Sequence, residues 1–553
     1  MPASPRLVSL VEQATRHHQA GRLDEAVAAY RQAAGLDPSH PGIQNNLGVA
    51  LRQQGRLEEA VACYQRVIAL SPQDAGAHGN LGNALRQMGQ MDAAEAAFRQ
   101  ALRLHPASPT AHNALGDALR EQGRVEEAIR HHRQALALQP RDGVTYNLLG
   151  LAQQHQGQLE EAVASYRQAL ALSPGLAGAH SNLGTALQVI GQPEEAVESL
   201  RKALELQPNH PDFLSNLGSA QTECGRLAEA MACFRQAIAL RPDHAVAHLH
   251  LGMALLGRGD FPKGWTEYEW RWRCAQTPRD FPQPRWRGEH AAGRRLLLHA
   301  EQGLGDTLQF CRYAELAAER GLRVVMEVQP SLRRLLQGLP GTEAVLARGE
   351  PLPEFDLHCP LLSLPLAFGT LPHTIPQRVP YLRAEAAEVL LWRQRLEARG
   401  KKGPRIGIAW AGSPKLARDR LRSIDPALLV PLLNMPGLHF INLQKGGTPA
   451  PAEAPLTDLM PEVQDFAETA ALMASLDLII SVDTAVAHLA GALGKPVWML
   501  DRFAPDWRWL EGRADSPWYP TMRIYRQPAP RQWGPVLEAV QRDLRRFYQS
   551  DVN

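Results

Sequence analysis

Several stretches in the second half of the sequence carry polar side chains directly after apolar runs. In "GLGDTLQF", Asp306 stands on a turn that Gly303 and Gly305 bracket, between an apolar run and a helical stretch. A carboxylate at such a place suits two tasks, the transfer of a proton or the capping of the helix that follows. We expect the two glycines to let the backbone turn tightly and approach a ligand closely.

Other stretches of this kind suit the binding of an anion. The loop "GSPKLARDRLRSID" and the stretch "NLQKG" supply cations, hydroxyls and an amide, and "SVDTAVAHLAGALG" starts a helix whose first N–H groups can meet a phosphate. The candidates are Ser413, Lys415, Arg420, Arg422, Ser423, Gln444, Lys445, Asp483, Thr484, Ala485 and His488. The alternatives are a run of solvated charges for the loop and a packed helix-face histidine for His488.

Length and composition exclude several classes of protein. A chain of 553 residues is too long for one hydrophobic core, which predicts two or three domains. Its 59 lysines and arginines nearly balance 57 acidic residues, whereas nucleic-acid binding needs a sustained basic surplus. The six cysteines form no CxxC pair and no metal-ligand spacing. Neither a signal peptide nor an uncharged run of about 18 apolar residues is evident, so we expect a cytoplasmic protein without a membrane span.

The first half repeats itself every 34 residues. The pair Leu-Gly recurs seven times, from Leu47-Gly48 to Leu251-Gly252, and alanine and proline keep the same register. This pattern resembles the tetratricopeptide repeat, which implies a superhelix with a concave groove. We predict the superhelix over residues 1–260, with about seven repeats and a terminal partial one, and a docking linker over 261–292. We expect glycine where the two helices of a repeat touch, and Tyr64, Phe98, Tyr166 and Phe234 in the gap to the next repeat.

The residue before each Leu-Gly pair predicts a role for the groove. It is asparagine in four of seven repeats, at Asn46, Asn80, Asn182 and Asn216. A side-chain amide donates and accepts hydrogen bonds at once, so a ladder of amides can clamp an extended peptide backbone irrespective of its sequence. The ladder resembles that in the tetratricopeptide arm of O-GlcNAc transferases and implies a protein partner in the groove. The alternative is that the asparagines cap helices or hydrate a polar groove.

Beyond Gly293, short apolar runs alternate with helical stretches, which predicts an α/β region with parallel strands. We predict strands over 295–301, 323–328 and 355–361, with helices over 306–320 and 331–338 between them. A second set of strands follows over 405–412, 438–446, 476–483 and 495–501. We expect two lobes, residues 293–400 and 401–553, with a ligand cleft between the carboxyl ends of their strands.

Two motifs resemble glycosyltransferase family 9, the heptosyltransferase-type enzymes of the GT-B fold with two Rossmann-like lobes. Members carry G-D after the first strand, as "GLGDTLQF" does here, and a block D-T-G/A-x-x-H-L-A-x-A-L-G-x-P in the second lobe. The sequence matches that block at Asp483, Thr484, His488, Leu489, Ala490, Ala492, Leu493, Gly494 and Pro496. Ala485 stands where many heptosyltransferases have glycine, which leaves ADP-heptose open as the donor. With its repeats, the chain is similar to bacterial protein glycosyltransferases, including those that modify flagellin.

This resemblance implies an inverting transfer of a sugar from a nucleotide-sugar to Ser or Thr of a protein held in the groove. Asp306 is then the general base on the acceptor side. The anion-binding stretches of the second lobe then hold the nucleotide phosphates through a helix start and cations. No D-x-D triplet occurs in the sequence, so we expect no metal and no cofactor beyond the nucleotide-sugar substrate.

Two other hypotheses stay open. One is an interaction scaffold whose glycosyltransferase domain no longer catalyses, although a dead site has no chemical need for Asp306, Asp483, Thr484 and His488 together. The other is a glycosyltransferase that acts on a glycan or a lipid-linked acceptor while the arm organises partners. In the tail, an aromatic cluster suits either stacking on a base or sugar or loop packing around the site; it consists of Trp507, Trp509, Trp518 and Tyr519.

Overall fold

The computed structural model of the protein describes residues 4–274, 279–301, 303–400, 403–413, 419–446, 448–451 and 454–549. The chain divides into two compact units. One comprises Met1–Ile190 with Glu198–Pro208, and the other comprises Gly191–Val197 with Asn209–Asn553.

The first half of the chain is all-helical and forms a tetratricopeptide solenoid, as the 34-residue period predicts. Its helices are α1 (Pro5–Gln19), α2 (Leu23–Leu36), α3 (Pro41–Gln53), α4 (Leu57–Leu70), α5 (Ala75–Gln87), α6 (Met91–Leu104), α7 (Pro109–Glu121), α8 (Val125–Leu138), α9 (Gly143–His155), α10 (Leu159–Leu172), α11 (Ala177–Ile190), α12 (Pro193–Leu206), α13 (Pro211–Glu223), α14 (Leu227–Leu240), α15 (Ala245–Gly257), α16 (Phe261–Tyr268) and α17 (Arg271–Cys274). Within the described ranges, no strand precedes Arg295.

The repeat sequence fixes where each helix begins and ends. Before α5, the Asp74 side chain accepts a hydrogen bond from the Ala77 N–H at 3.0 Å, which caps the helix start. Between α5 and α6, Gly89 has φ +75°, a backbone conformation that residues with a side chain rarely adopt. The same turn recurs in register along the solenoid, which explains the glycine at this position of each repeat.

The repeat aromatics pack within their own repeat as well as against the next one. A Cβ built on Gly82 would lie 2.5 Å from the Phe98 ring, and one on Gly218 would lie 2.5 Å from the Phe234 ring. Both residues of each pair belong to one repeat. The ring on the second helix therefore fills the space that the missing side chain of the first helix leaves. It also meets the next repeat, as predicted, because the Phe234 ring lies 5.5 Å from the His250 ring.

The second half is α/β, as predicted, and contains two sheets with all strands parallel. The first has the order β3-β2-β1-β4, with β1 (Arg295–His299), β2 (Arg323–Val328), β3 (Thr342–Ala347) and β4 (Leu357–Pro360). The helices of this part are α18 (Leu304–Phe310), α19 (Tyr313–Glu319), α20 (Arg333–Leu336) and α21 (Leu364–Ala367), and α22 (Ala386–Ala398) leads to the next sheet.

The second sheet has six strands in the order β10-β9-β8-β5-β6-β7. They are β5 (Arg405–Ala409), β6 (His439–Asn442), β7 (Thr457–Asp458), β8 (Leu478–Val482), β9 (Val497–Asp501) and β10 (Met522–Arg526). The accompanying helices are α23 (Val430–Leu433), α24 (Phe466–Ala474), α25 (Ala485–Ala492) and α26 (Gly534–Gln549).

The predicted single helix over 306–320 is two helices. It breaks between α18 and α19, at Cys311 and Arg312. The Arg312 guanidinium is buried there, and it donates hydrogen bonds to the carbonyls of Pro376 and Trp518, both at 2.8 Å. The break therefore places the buried Arg312 guanidinium where its hydrogen bonds join this segment to the residues before β10.

The aromatic residues after the last full repeat pack into the α/β core. Trp265 is buried, donates its indole N–H to the Thr370 carbonyl at 3.1 Å, and meets the Trp507 ring edge-on at 5.2 Å. Trp286 is buried as well and packs on Phe368. These contacts join the end of the solenoid to the two sheets of the same compact unit.

Candidate active site

The carboxyl ends of the two sheets meet through one helix from each. α18 starts after β1, α25 starts after β8, and the two helices pack together. A Cβ on Gly305 would lie 2.7 Å from Cδ2 of His488, so only glycine admits this contact. The absence of a side chain at Gly305 therefore allows α18 and α25 to approach each other closely. Gly303 has φ −72°, an ordinary extended conformation, so neither glycine is needed for a special turn.

Asp306 caps the start of α18 and also forms an ion pair with Arg508. Its Oδ2 accepts a hydrogen bond from the Gly303 N–H at 2.9 Å, at the start of α18. Its Oδ1 lies 2.5 Å from Nη2 of Arg508, in a segment that follows β9 of the other sheet. Its side chain is 16% exposed. One carboxylate thus links the carboxyl edges of both sheets.

Arg508 is the centre of this network. Its guanidinium donates to Gln309 and to Asp506, both at 2.8 Å, besides Asp306, and it stacks on the Trp507 ring at 4.2 Å. Burial alone would lower the pKa of Arg508, but the carboxylates of Asp506 and Asp306 raise it above its ordinary value. The guanidinium is therefore charged at any pH that the protein tolerates, and it holds both carboxylates next to each other where the carboxyl ends of the two sheets meet.

His488 lies in the wall of this site as a neutral ring. Burial, with the positive charge of Arg508, lowers its pKa to about 3. Its Nδ1 lies 2.9 Å from the Tyr519 hydroxyl, its Nε2 lies 3.8 Å from Asp483, and the ring stacks on Trp509. Its surroundings fit a packed histidine, and it meets Gly305 across the helix contact.

Two carboxylates of the second sheet differ in their electrostatic surroundings. Burial, with the negative charge of Asp506, raises the pKa of Asp483. For Asp506, burial works in the same direction, but the Arg508 guanidinium outweighs it and lowers the pKa. Asp506 therefore keeps its charge, whereas Asp483 takes up a proton more readily than an exposed carboxyl group does.

Arg422 and Ser423 are fixed by the loop after β5. The Arg422 guanidinium donates to Asp419 and to the Asp483 carbonyl, both at 2.9 Å. The Ser423 hydroxyl donates to Asp419 at 2.7 Å and accepts from the Gly412 N–H at 3.2 Å. Arg422 thus joins the carboxyl ends of β5 and β8.

The other loop candidates lie around this pair. Ser413 and Arg420 are exposed on either side of the interval 414–418. Lys415 falls in that interval, outside the described residues.

Gln444 and Lys445 hold the backbone at the carboxyl end of β6. The Gln444 side chain accepts from the N–H groups of Trp410 and Ala411, at 3.2 and 2.9 Å, and donates to Gly446. The Lys445 ammonium donates to the Val463 carbonyl at 2.7 Å. Both side chains are thus engaged in shaping the loops that border the site.

The start of α25 offers backbone donors at the same edge. Thr484 precedes the helix, and its side chain makes no capping hydrogen bond. The first N–H groups of an α-helix have no acceptor within the helix, so those of Ala485 and its neighbour need an outside partner. They lie beside Asp483, whose carbonyl binds Arg422.

The tail aromatics are structural. Trp507, Trp509, Trp518 and Tyr519 are all buried. Packing around the site is therefore the alternative that the structure supports, rather than stacking on an exposed ligand.

The asparagine ladder makes hydrogen bonds between repeats. In the first unit, the Asn80 amide donates to Asn45 of the preceding repeat at 2.9 Å, and Asn182 donates to Asn147 at 3.0 Å. Asn46, in the same unit, and Asn216, in the second, are half-buried. Two of the four predicted clamp residues thus already donate one N–H to the neighbouring repeat, and each of these side-chain NH2 groups carries a second N–H.

Sequence reasoning missed Asp506, Arg508 and Gln309. Asp506 and Arg508 could have been recognised from the sequence. The stretch "DRFAPDWRW" begins at the last residue of the buried strand β9, so it brings an acidic residue and an arginine to the carboxyl end of that strand. In the part of the chain that the structure describes, no three His, Cys, Asp or Glu side chains are grouped to hold a metal ion. No described helix has the length and apolar composition to cross a bilayer.

Family models match both halves of the chain. Tetratricopeptide repeat models match residues 11–75, 80–143 and 225–268, and further models of this repeat match 63–96, 155–191 and 175–243. The model for glycosyltransferase family 9 (heptosyltransferase) matches residues 449–500, which include β8, α25 and most of β9. This combination suggests glycosyltransferase activity.

Comparison with single proteins gives partial matches. Protein FlbA of Caulobacter vibrioides is 31% identical over 327 residues, which cover 54% of this chain and 54% of FlbA. The chain therefore spans about half the length of this curated relative. Solved structures with some similarity include the APC/C hetero-tetramer Cut9-Hcn1, at 19% identity and a TM-score of 0.40 over 44% of this chain and 48% of that one. Another is YrrB, titled a TPR protein with an unusual peptide-binding site, at 24% identity and a TM-score of 0.28 over 33% of this chain and 95% of that one.

Proposed function

We propose that the protein is an inverting glycosyltransferase of the GT-B class that moves a sugar from a nucleotide-sugar to a Ser or Thr hydroxyl of a protein. In this proposal the four-stranded sheet belongs to the acceptor lobe and the six-stranded sheet to the donor lobe. The family 9 match lies in the proposed donor lobe, which supports this assignment. Tetratricopeptide proteins commonly bind peptides, so the solenoid is the proposed binding arm for the acceptor protein.

One observation carries the proposal. Asp306, at the carboxyl edge of the first sheet, is paired at 2.5 Å with Arg508, which follows the carboxyl edge of the second. Parallel sheets bind ligands at this edge. A reaction between two bound substrates, one on each lobe, needs a carboxylate and a cation at that meeting point, because a proton leaves the acceptor while negative charge develops on the phosphate.

The chemistry follows from the charges at this point. The acceptor hydroxyl oxygen attacks the anomeric carbon while Asp306 takes its proton, and the bond from that carbon to the phosphate oxygen breaks in the same displacement. The hydrogen bonds from Gly303 and Arg508 each use one lone pair of a carboxylate oxygen, so lone pairs remain for the proton. Attack from the side opposite the leaving phosphate inverts the anomeric centre.

The departing diphosphate gains charge and must meet donors. Arg422 and the first N–H groups of α25 lie together at the carboxyl ends of β5 and β8 and supply a cation and backbone donors. Ser413, Lys415, Arg420, Ser423, Gln444 and Lys445 are the further proposed donor-side residues, with Asp483, Thr484, Ala485 and His488. We propose that no divalent metal takes part, because these groups offer the neutralising charge that a metal supplies in other glycosyltransferases.

The experiment measures transfer directly. The full-length protein is incubated with a panel of labelled nucleotide-sugars and co-expressed candidate acceptor proteins, flagellin among them. The acceptor's intact mass is then measured. An increase by one sugar residue that is abolished in Arg422→Gln supports the proposal. A panel that yields neither a mass increase nor hydrolysis of any nucleotide-sugar contradicts it and favours a binding scaffold.

A further inference from the structure

A second cavity lies at the carboxyl edge of the first sheet, separate from the Asp306–Arg508 pair. Its volume is about 630 Å³, within the range of sites for small ligands. Its walls come from α17, from the carboxyl ends of β1 and β2, and from the segment after β3. None of the residues that line it belongs to the second sheet.

Charged side chains line the cavity in equal numbers. Three arginines, Arg271, Arg279 and Arg348, face three glutamates, Glu301, Glu327 and Glu350. Arg271 binds both oxygens of Glu301, at 2.9 and 3.0 Å, and Arg279 binds both oxygens of Glu327. An anionic ligand would need a surplus of cations, and a cation would need a surplus of carboxylates. This balance therefore favours a neutral ligand.

Two polar atoms in the cavity walls have no hydrogen-bond partner among the described residues. They are Nδ1 of His299, which is 1% exposed, and the indole N–H of Trp272. The other nitrogen of His299 lies 3.2 Å from Nδ1 of His358. Burial lowers the pKa of His299 to about 2, so the ring stays neutral and offers either a donor or an acceptor. Buried polar atoms are normally satisfied, and both of these residues belong to the cavity lining, so each side chain has hydrogen-bonding capacity left at the edge of the cavity.

Hydroxyl groups fit this set of side chains. Each hydroxyl donates and accepts at once, and neighbouring hydroxyls of a sugar ring match the paired atoms of carboxylates and guanidinium groups. Trp272 adds an aromatic ring to the wall, whereas Ala300 and Leu352 are the aliphatic residues of the lining. An unmodified peptide would need apolar pockets for its side chains, which this lining lacks.

We propose that the cavity binds a neutral pyranose ring already attached to the acceptor. The inference rests on the proposed glycosyl transfer and refines it, because it places a glycan on the acceptor side of the reaction. The enzyme would then recognise a protein together with a sugar that it carries, and transfer the new sugar to a Ser or Thr hydroxyl close to that sugar.

The test is a titration of full-length protein with the methyl glycosides of glucose, galactose and N-acetylglucosamine, followed by saturation-transfer NMR. We expect at least one of them to bind. Arg348→Gln should weaken that binding about tenfold or more, since the arginine lines the cavity and is exposed. Trp272→Phe, which keeps an aromatic ring but removes the N–H, should weaken it too.

Arg323→Gln is the matched control. Arg323 is also an exposed arginine, and it pairs with Glu343; neither residue lines the cavity. This variant should bind the glycoside as the wild type does. Equal binding by Arg348→Gln, Trp272→Phe and wild type would overturn the proposal, and so would binding of inorganic phosphate or an unmodified peptide in place of every glycoside.

Hydrolysis of nucleotide-sugar without acceptor separates this inference from the proposed function. We expect Arg348→Gln to hydrolyse the donor at the wild-type rate, since an acceptor subsite takes no part in that reaction. A parallel loss of hydrolysis would assign the cavity to the donor sugar and overturn the acceptor assignment. Transfer to a bare protein without glycoside binding would reject the subsite alone, whereas glycoside binding without turnover of any donor would reject the proposed transfer.

Discussion

Replacing Asp306 by asparagine separates the two tasks that this residue can perform. Asparagine has nearly the same shape, and its side-chain oxygen can still accept from the Gly303 N–H, so the start of α18 keeps its cap. The variant cannot take a proton from an acceptor hydroxyl. If Asp306 is the general base, turnover falls by about 10² to 10⁴, the usual contribution of such a group.

The structure also gives the expected loss of stability. Asp306→Asn removes the charge that faces Arg508, and the two side chains are 16% and 10% exposed. A hydrogen bond to a charged group contributes about 1.5 to 3 kcal/mol. Arg508 keeps its bonds to Asp506 and Gln309. However, an asparagine whose oxygen accepts from Gly303 turns its NH2 group toward Arg508, so two donors face each other and we expect a loss near the upper end, about 3 kcal/mol. The protein should therefore fold and bind nucleotide.

Asp465 provides a matched control. It caps α24 by accepting from the N–H groups of Ala467 and Glu468, both at 3.0 Å, and it pairs with Arg334 from the first sheet's side at 2.7 Å. Asp465→Asn thus removes the same kind of charge from a helix cap and an ion pair between the two sheets' parts. The Arg334 side chain is 41% exposed, so the expected loss is smaller, about 0.5 to 1 kcal/mol.

The assay measures transfer rate, nucleotide binding and thermal midpoint on both variants. Asp306→Asn should lose transfer and keep nucleotide binding, while Asp465→Asn should keep both. A fully active Asp306→Asn protein would refute the reasoning, since the carboxylate would then serve only the cap and the ion pair. Equal losses of transfer in both variants would also refute it, because loss of structure would then explain the effect.

Three further outcomes are expected. Gly305→Ala should lower the transfer rate and the thermal midpoint, because its Cβ would lie 2.7 Å from His488; Gly303→Ala, whose Cβ would approach no atom closer than 3.4 Å, should do neither. Transfer should survive EDTA, and a loss restored by added Mg²⁺ or Mn²⁺ would contradict the metal-free proposal. His132→Phe should stabilise the first unit in acid. Burial lowers the pKa of His132 to about 4 in the folded protein, whereas the free side chain has a pKa of about 6.5. As the pH falls below about 6.5 the unfolded chain therefore binds a proton that the folded chain does not, and the free energy of unfolding decreases. The gain should be near zero at pH 7.5 and about 1 to 2 kcal/mol at pH 5 by circular dichroism, and equal gains at both pH values would contradict this cause.

The central strands were predictable, whereas of the four strands at the sheet edges only β4 was predicted. Central strands such as β1 and β8 lie between two neighbours and each contain a run of three apolar residues, which marks them in the sequence. β3, β7 and β10, which the sequence analysis missed, all lie at an edge of their sheet. An edge strand is less enclosed, so its sequence mixes polar with apolar residues and loses the pattern on which the prediction depends.

The candidate site shows a similar division. The positions of Asp306 and Asp483 after buried strands were visible in the sequence, because a polar residue after an apolar run marks a strand's carboxyl end. The pairing of Asp306 with Arg508 was not, since 202 residues separate them along the chain. The engagement of Gln444 and Lys445 with nearby backbone was hidden as well, because side-chain direction depends on how the loops after the strands fold.

By itself, the sequence determined the repeat period, the helical first half, the α/β second half and the residue types at the strand ends. These properties are local, because periodicity, turn glycines and apolar runs act over a few neighbouring residues. Only the tertiary structure decided that the Phe98 ring covers the Gly82 of its own repeat, that Gly305 makes room for His488, and that Arg508 meets Asp306. The last two contacts join residues distant in the sequence, and the geometry of all three is set by the packing of whole helices and sheets.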